Sequence, residues 1–223
     1  MRRAAPDAAV AAGPPGTLAW TLAWDATGVQ PEAVGWSVTT DLGYRVHLID
    51  GAVTTWDASL VADDGTGTCA ALKNHAGDQN ETSADAPRVE SLVNPLPSDT
   101  WALKSGLLGR YCLGQVVVAR ATPLVGTDGR ARVRDRVALA LALTWARGGG
   151  PATRLEVQAP FGHGALLALP GGPIDFQQAG RRLTLVRSLA GLFDGIDFET
   201  STADNVARDV LRALLDGAEL RGE

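Results

Sequence analysis

The stretch "GYRVHLIDGAVTTWDASLV", residues 43–61, decides the fold class. Around a central Asp50-Gly51 it alternates apolar and polar residues with a period of two, the pattern of strands that bury one face. Asp-Gly between two such runs predicts a tight hairpin with a two-residue type I′ turn. Ile49 is then expected opposite Ala52, His47 opposite Thr54 and Arg45 opposite Trp56. Arg45, His47, Ile49, Thr54, Trp56, Ala58 and Leu60 would share one face, and Tyr44, Val46, Leu48, Val53, Thr55, Ser59 and Val61 the core-facing one. Arg45 over the Trp56 indole would contribute about 0.5–1 kcal/mol as an exposed cation–π contact.

Outward from that stretch the β pattern continues. In "TLAWTLAW", residues 17–24, Leu18, Trp20, Leu22 and Trp24 point one way and the intervening residues the other, and Trp36 and Val38 mark a short strand in "EAVGWSVTTDLG". "PRVESLVN" and "GRYCLGQVVVARA" (109–121) read as strands, and in "RVRDRVALALALTW" Val133, Val137, Leu139, Leu141, Leu143 and Trp145 oppose Arg132, Arg134, Arg136 and three alanines. Further strands are expected at "TRLEVQA", "GALLALP" and "GRRLTLVR", separated by Gly-rich turns. Only "STADNVARDVLRALLDG" has helical spacing, with Ser201 or Thr202 as cap, Val206, Val210, Leu211, Leu214 and Leu215 as its apolar stripe, and Gly217 as its stop. The expectation is a mainly β fold, an antiparallel β-sandwich of about eight to ten strands with a C-terminal helix over 202–216.

The organisation is read as a flexible arm over 1–16 and one domain over 17–223, interrupted by a long loop over 65–86 rich in Gly, Asn, Asp, Ser and Thr. The arm "MRRAAPDAAVAAGPPG" has a basic start but Pro6 and Asp7 break the apolar run that a signal peptide needs. An exported chain whose leader has been removed would read the same way. No run reaches the roughly 20 apolar residues of a membrane span. A net charge of −5 and a pI near 5.2 argue against a general nucleic-acid binder, which needs a basic field.

Most catalytic signatures are missing: there is no phosphate-binding loop, no dinucleotide fingerprint, no HExxH and no EF-hand loop. "GWSVT" approaches a nucleophile elbow, but it ends in Thr39 rather than Gly and falls in a strand. Asp63-Asp64 and the group Asp194, Asp197 and Glu199 are paired acids in turns, where capping or solvation explains them better than chemistry across a cleft. Three histidines remain, His47, His75 and His163. His47 beside the Trp56 indole, with His75 on the loop that follows, suggests a soft-metal pocket, since imidazole suits copper and zinc. Asp78 would add a harder carboxylate. Cys69 and Cys112 read as a disulfide, as two inert buried thiols or as thiolate ligands; the even pair favours the disulfide.

The order "TDLGYRVHL", "SLV", a Cys-bearing loop with "HAGD", "ESLV" and "GRYCLGQVVVARA", spanning Val38 to Ala121, resembles exported bacterial β-sandwich proteins of the methanobactin-associated periplasmic copper-binding family, which carry four cysteines. The resemblance implies a periplasmic or secreted sandwich, a copper site and a periplasmic redox partner. Asp78 and Gln115 stand where those proteins tend to carry His, and only two cysteines are present. The expected function is a non-enzymatic, extracytoplasmic binding protein for copper or another soft metal through His47, His75 and Asp78. The alternatives are an exported structural or interaction module with no metal and, last, a hydrolase on a sandwich scaffold.

Overall fold

The computed structural model describes residues 14–63, 80–84, 87–95, 98–122, 126–127 and 136–222. Along the chain these form β1 (Leu18–Asp25), β2 (Gln30–Pro31), β3 (Trp36–Thr39), β4 (Tyr44–Ala62), β5 (Arg88–Ser91), β6 (Ser98–Lys104), β7 (Arg110–Val118), β8 (Gly126–Thr127) and β9 (Leu139–Arg147). β10 (Thr153–Ala159), β11 (His163–Ala168), β12 (Ile174–Asp175), β13 (Arg181–Ser188), α1 (Ala203–Asp216) and β14 (Glu219–Gly222) follow. The fold is mainly β, two sheets with one C-terminal helix, as the alternation predicts.

The smaller sheet runs β14-β13-β1-β6, and the larger runs β10-β9-β4-β3-β2 with β5, β7, β8, β11 and β12 attached to it. β1 lies parallel to β13, Trp20 beside Leu183 and Leu22 beside Leu185. All other strand pairs are antiparallel except β5 with β8. Leu18, Trp20, Leu22 and Trp24 are buried as the alternation requires, and they join Tyr44, Val46, Leu48, Leu60, Leu139, Leu141 and Leu143 of the larger sheet in one apolar core.

The hairpin expected at 43–61 does not form. β4 is a single strand of 19 residues that runs straight through Asp50-Gly51. Arg45–Leu48 pairs with β3 on one side, while Tyr44–Val53 pairs with β9 on the other. Both edges of the first half are therefore taken, and the second half cannot fold back on it. That half pairs instead with β5 and β7. Gly51 is not among the glycines with positive φ, so it lacks the backbone of a type I′ turn. Its missing side chain serves packing: a Cβ there would come within 3.1 Å of Leu92, 3.2 Å of Leu48 and 3.3 Å of Leu141. Irregularities in register between Leu48 and Asp50 and between Thr55 and Asp57 bend the strand and re-aim its faces. Arg45 consequently pairs with Glu32, and Trp56 packs with Ala52, Val89 and Ala121.

Other departures are smaller. β9 begins at Leu139 because Arg136 turns the chain with φ 62; Arg132 and Arg134 lie outside the described residues. β6 and the short strands β2, β8, β12 and β14 were not expected from the pattern. Much of the expected loop over 65–86 lies outside the described residues, but Thr82, Ser83 and Ala84 are buried. Asn80 anchors that segment through its side-chain amide to the Leu60 carbonyl at 3.1 Å, and the Trp20 indole donates to the Thr82 carbonyl at 2.8 Å.

The helix forms where its spacing places it. The Thr202 hydroxyl accepts from the Asn205 amide at 3.3 Å, Gly217 closes the C-terminal turn, and Val206, Ala207, Val210, Leu211, Leu214 and Leu215 are buried against β10 and β11. No helix among the described residues is long and apolar enough to cross a membrane.

The acids of "LFDGIDFETST" tie the segment before the helix to the larger sheet. Tyr44 donates its hydroxyl to Asp197 Oδ1 at 2.5 Å, Asp197 also accepts from the Thr200 hydroxyl at 2.9 Å, and Glu199 pairs with Arg147 at 3.2 Å. The Asp41 amide donates to Asp194 at 3.1 Å, and Asp41 accepts from the Gly195 amide at 2.8 Å. The Tyr44 bond holds the Asp197 carboxyl below its ordinary range, and Asp197 in turn raises the Tyr44 phenol. These acids act as structural acceptors, in line with the capping reading of their sequence.

Between the sheets lies a buried charge pair that no motif announces. Arg187 of β13 is fully buried and Glu90 of β5 nearly so. The guanidinium reaches both Glu90 oxygens at 2.6 Å and donates to the Thr55 hydroxyl at 2.9 Å. The Thr55 hydroxyl in turn donates to Glu90 Oε1 at 2.5 Å, and the Trp24 indole donates to Oε2 at 2.9 Å. The guanidinium carbon sits 4.2 Å from the Trp24 ring centroid. Trp24 and Arg187 belong to one sheet and Thr55 and Glu90 to the other, so the network clamps the two together. Of the Arg187 nitrogens, Nε has no hydrogen-bond partner among the described residues.

Candidate functional site

A cleft of about 580 Å³ opens at the β2–β3 margin of the larger sheet. Four pieces of chain wall it: Ala26 and Val29 from the turn after β1, residues 31–36, residues 93–95 after β5, and Leu189 at the end of β13. Its size falls within the range of small-molecule sites. Most of the lining is Ala, Val, Pro, Leu and Gly, with Trp36, the Asn94 amide and the Glu32 carboxylate.

The local sequence explains why the cleft holds its shape. Pro31 closes β2 after two residues, having no N–H to continue a ladder. The chain then turns, the Glu32 amide donating to the Gly35 carbonyl at 3.1 Å. Gly35 has φ +74, and a Cβ there would lie 1.9 Å from the Leu48 carbonyl oxygen, so only glycine lets the turn sit down on β4. Trp36 is fixed by its indole N–H, which donates to the Leu92 carbonyl at 2.7 Å, and its ring packs 5.9 Å from that of Phe193.

Glu32 is the chemical group of the cleft. Its Oε1 accepts the Ser37 hydroxyl at 2.7 Å and Arg45 Nη2 at 3.0 Å. The Ser37 bond first, and then Arg45, hold the carboxyl below the usual glutamate range, so it is charged at neutral pH. Ser37 and His47 are cross-strand partners on β3 and β4, yet they do not form a nucleophile–base pair: the Ser37 hydroxyl donates to Glu32, and His47 Nε2 donates to the Val34 carbonyl at 2.7 Å. Ser37 lies in a strand and is 1% exposed, so "GWSVT" is no nucleophile elbow.

Of the expected metal ligands, His47 stands beside this cleft, half-buried. His75 and Asp78 lie outside the described residues. Among the described residues no group of three His, Cys, Asp or Glu side chains is placed to hold a metal. His163 opens β11, opposite Val118 of β7, away from β3 and its neighbours in the register. Cys112 sits on β7 with its sulfur 3.6 Å from the Val61 carbonyl oxygen; its expected partner Cys69 lies outside the described residues.

Sequence reasoning did not single out Glu32, Gly35 or the cleft. The available signal was "QPEAVGW", where a strand-ending Pro and a Gly four residues later bracket a tight turn carrying one acid. Nothing in that stretch reveals that Val93, Pro95 and Leu189 form the opposite wall. No protein-family model matches the chain, and no curated protein or solved structure matches it.

Proposed function

We propose that the chain is a non-enzymatic, extracytoplasmic binding protein whose site is the cleft between the Glu32–Gly35 turn and the Val93–Pro95 segment. The observation that carries this reading is a cleft of about 580 Å³ whose turn is fixed by Gly35 and whose lining residue Trp36 is hydrogen-bonded in place, a preformed, mainly apolar site with one oriented carboxylate. Ser37 is engaged by Glu32 and His47 by the Val34 carbonyl rather than by each other, which favours binding over turnover.

The test is a thermal-shift screen of small apolar compounds on the wild type and on Ala33→Trp, which fills the cleft with an indole. Stabilisation of about 1–2 kcal/mol at ligand concentrations well above Kd is the expected result for the wild type, and its loss in Ala33→Trp locates the site. Stabilisation that survives in Ala33→Trp contradicts the reading. Copper(II) belongs in the same screen, because a second reading places a copper ion on His47, His75 and Asp78. In its favour, the Nε2–H bond to the Val34 carbonyl leaves His47 Nδ1 as the lone-pair nitrogen. Copper stabilisation that is lost in His47→Ala supports that reading, and copper stabilisation indifferent to His47 removes it.

The extracytoplasmic assignment predicts that Cys69 and Cys112 are joined. Thiol titration of the unfolded, unreduced protein should find none. Two titratable thiols would remove this support for export.

A further inference from the structure

We propose that the cleft takes a small organic ammonium ion, an amine with a compact apolar or aromatic body, with Glu32 as its counter-ion; this rests on the binding reading above. The apolar walls admit the body of such a ligand, and Trp36 is among the residues that line the cleft. Among the described residues, the one side chain of formal charge in the lining is the Glu32 carboxylate. Arg45 and Ser37 both approach Oε1, which leaves Oε2 as the acceptor for a further N–H donor, since a carboxylate has about four lone-pair directions. An anionic ligand would face that carboxylate with no cation in the lining to meet it. A peptide strand is a poorer occupant, because Pro31 stands on the β2 margin without an N–H to donate.

Arg45 has a second part in this arrangement. It is the cation that balances Glu32, and its side chain is 67% exposed. An exposed pair of this kind is weak, so an ammonium ion that reaches Glu32 from the apolar side competes with it on favourable terms. Removing Arg45 should then strengthen amine binding rather than weaken it, whereas a purely structural role for the pair would give the opposite sign.

The experiment is calorimetric titration of 2-phenylethylamine and 2-phenylethanol, alike in shape and different in charge, into the wild type, Glu32→Gln and Arg45→Gln at low salt. The expected result is an amine bound at least about tenfold more tightly than the alcohol, a preference erased in Glu32→Gln and enlarged several-fold in Arg45→Gln. Equal affinity of amine and alcohol for the wild type overturns the ammonium proposal while leaving the cleft a binding site. Binding of neither compound, together with no hit in the thermal screen, overturns both.

Discussion

Glu90→Gln is expected to lower the unfolding free energy by about 3–5 kcal/mol, the cost of leaving a buried cation without its counter-charge. Arg187 is fully buried, and in this variant its guanidinium would keep only the Thr55 hydroxyl, an amide oxygen and the Trp24 ring. Arg187→Met should cost a similar amount from the other side, stranding the carboxylate. The double variant Arg187→Met with Glu90→Leu should be less damaging than either single change, because it removes both desolvated charges at once and leaves apolar groups between the sheets. Urea unfolding of the three variants at neutral pH checks this. Single variants within about 1 kcal/mol of wild type, or a double variant whose loss is the sum of the two, would mean that the clamp does not join the sheets.

Gly35→Ala should cost about 3 kcal/mol, combining the left-handed backbone, roughly 1–2 kcal/mol for a residue with a Cβ, with the contact 1.9 Å from the Leu48 carbonyl oxygen, which forces β3 away from β4. Gly43→Ala is the control. Gly43 has a φ of +79 but nothing within 4 Å of its Cβ position, so it should lose only the backbone part. If the two variants are equally destabilised, the close approach of the turn to β4 is not what demands glycine. Because Gly35 also shapes the cleft, ligand stabilisation should vanish in Gly35→Ala and persist in Gly43→Ala.

The strands were legible where burial is one-sided over several residues. "TLAWTLAW" and "ALALALTW" alternate because each lies on a sheet with one face in the core, and "VARDVLRALL" keeps its helical stripe because α1 packs by that stripe alone. β6 escaped notice because it is an edge strand in which only Trp101 is buried, so no alternation is written into it. Asp50-Gly51 misled for a different reason. A glycine demanded by tertiary packing against Leu92 and Leu141 has the same letter as a glycine demanded by a turn, and local sequence does not separate them. The parallel pairing of residues 18–25 with 181–188, the Arg187–Glu90 clamp and the far wall of the cleft share one obstacle: each joins segments distant in the chain, with no periodicity to mark the partner. Among the described residues, His47 is the one expected site residue that the fold sets beside the cleft, and it does so through Val34 rather than through Trp56.

The most direct measurement is chemical-shift mapping of the ¹⁵N-labelled protein titrated with 2-phenylethylamine. The account predicts saturable shifts of the Ala33, Val34 and Gly35 amides and of the Trp36 indole N–H, with the amides of β7 and β11 unmoved. Saturable shifts centred on β7 and β11, with the Gly35 amide and the Trp36 indole unchanged, would contradict it.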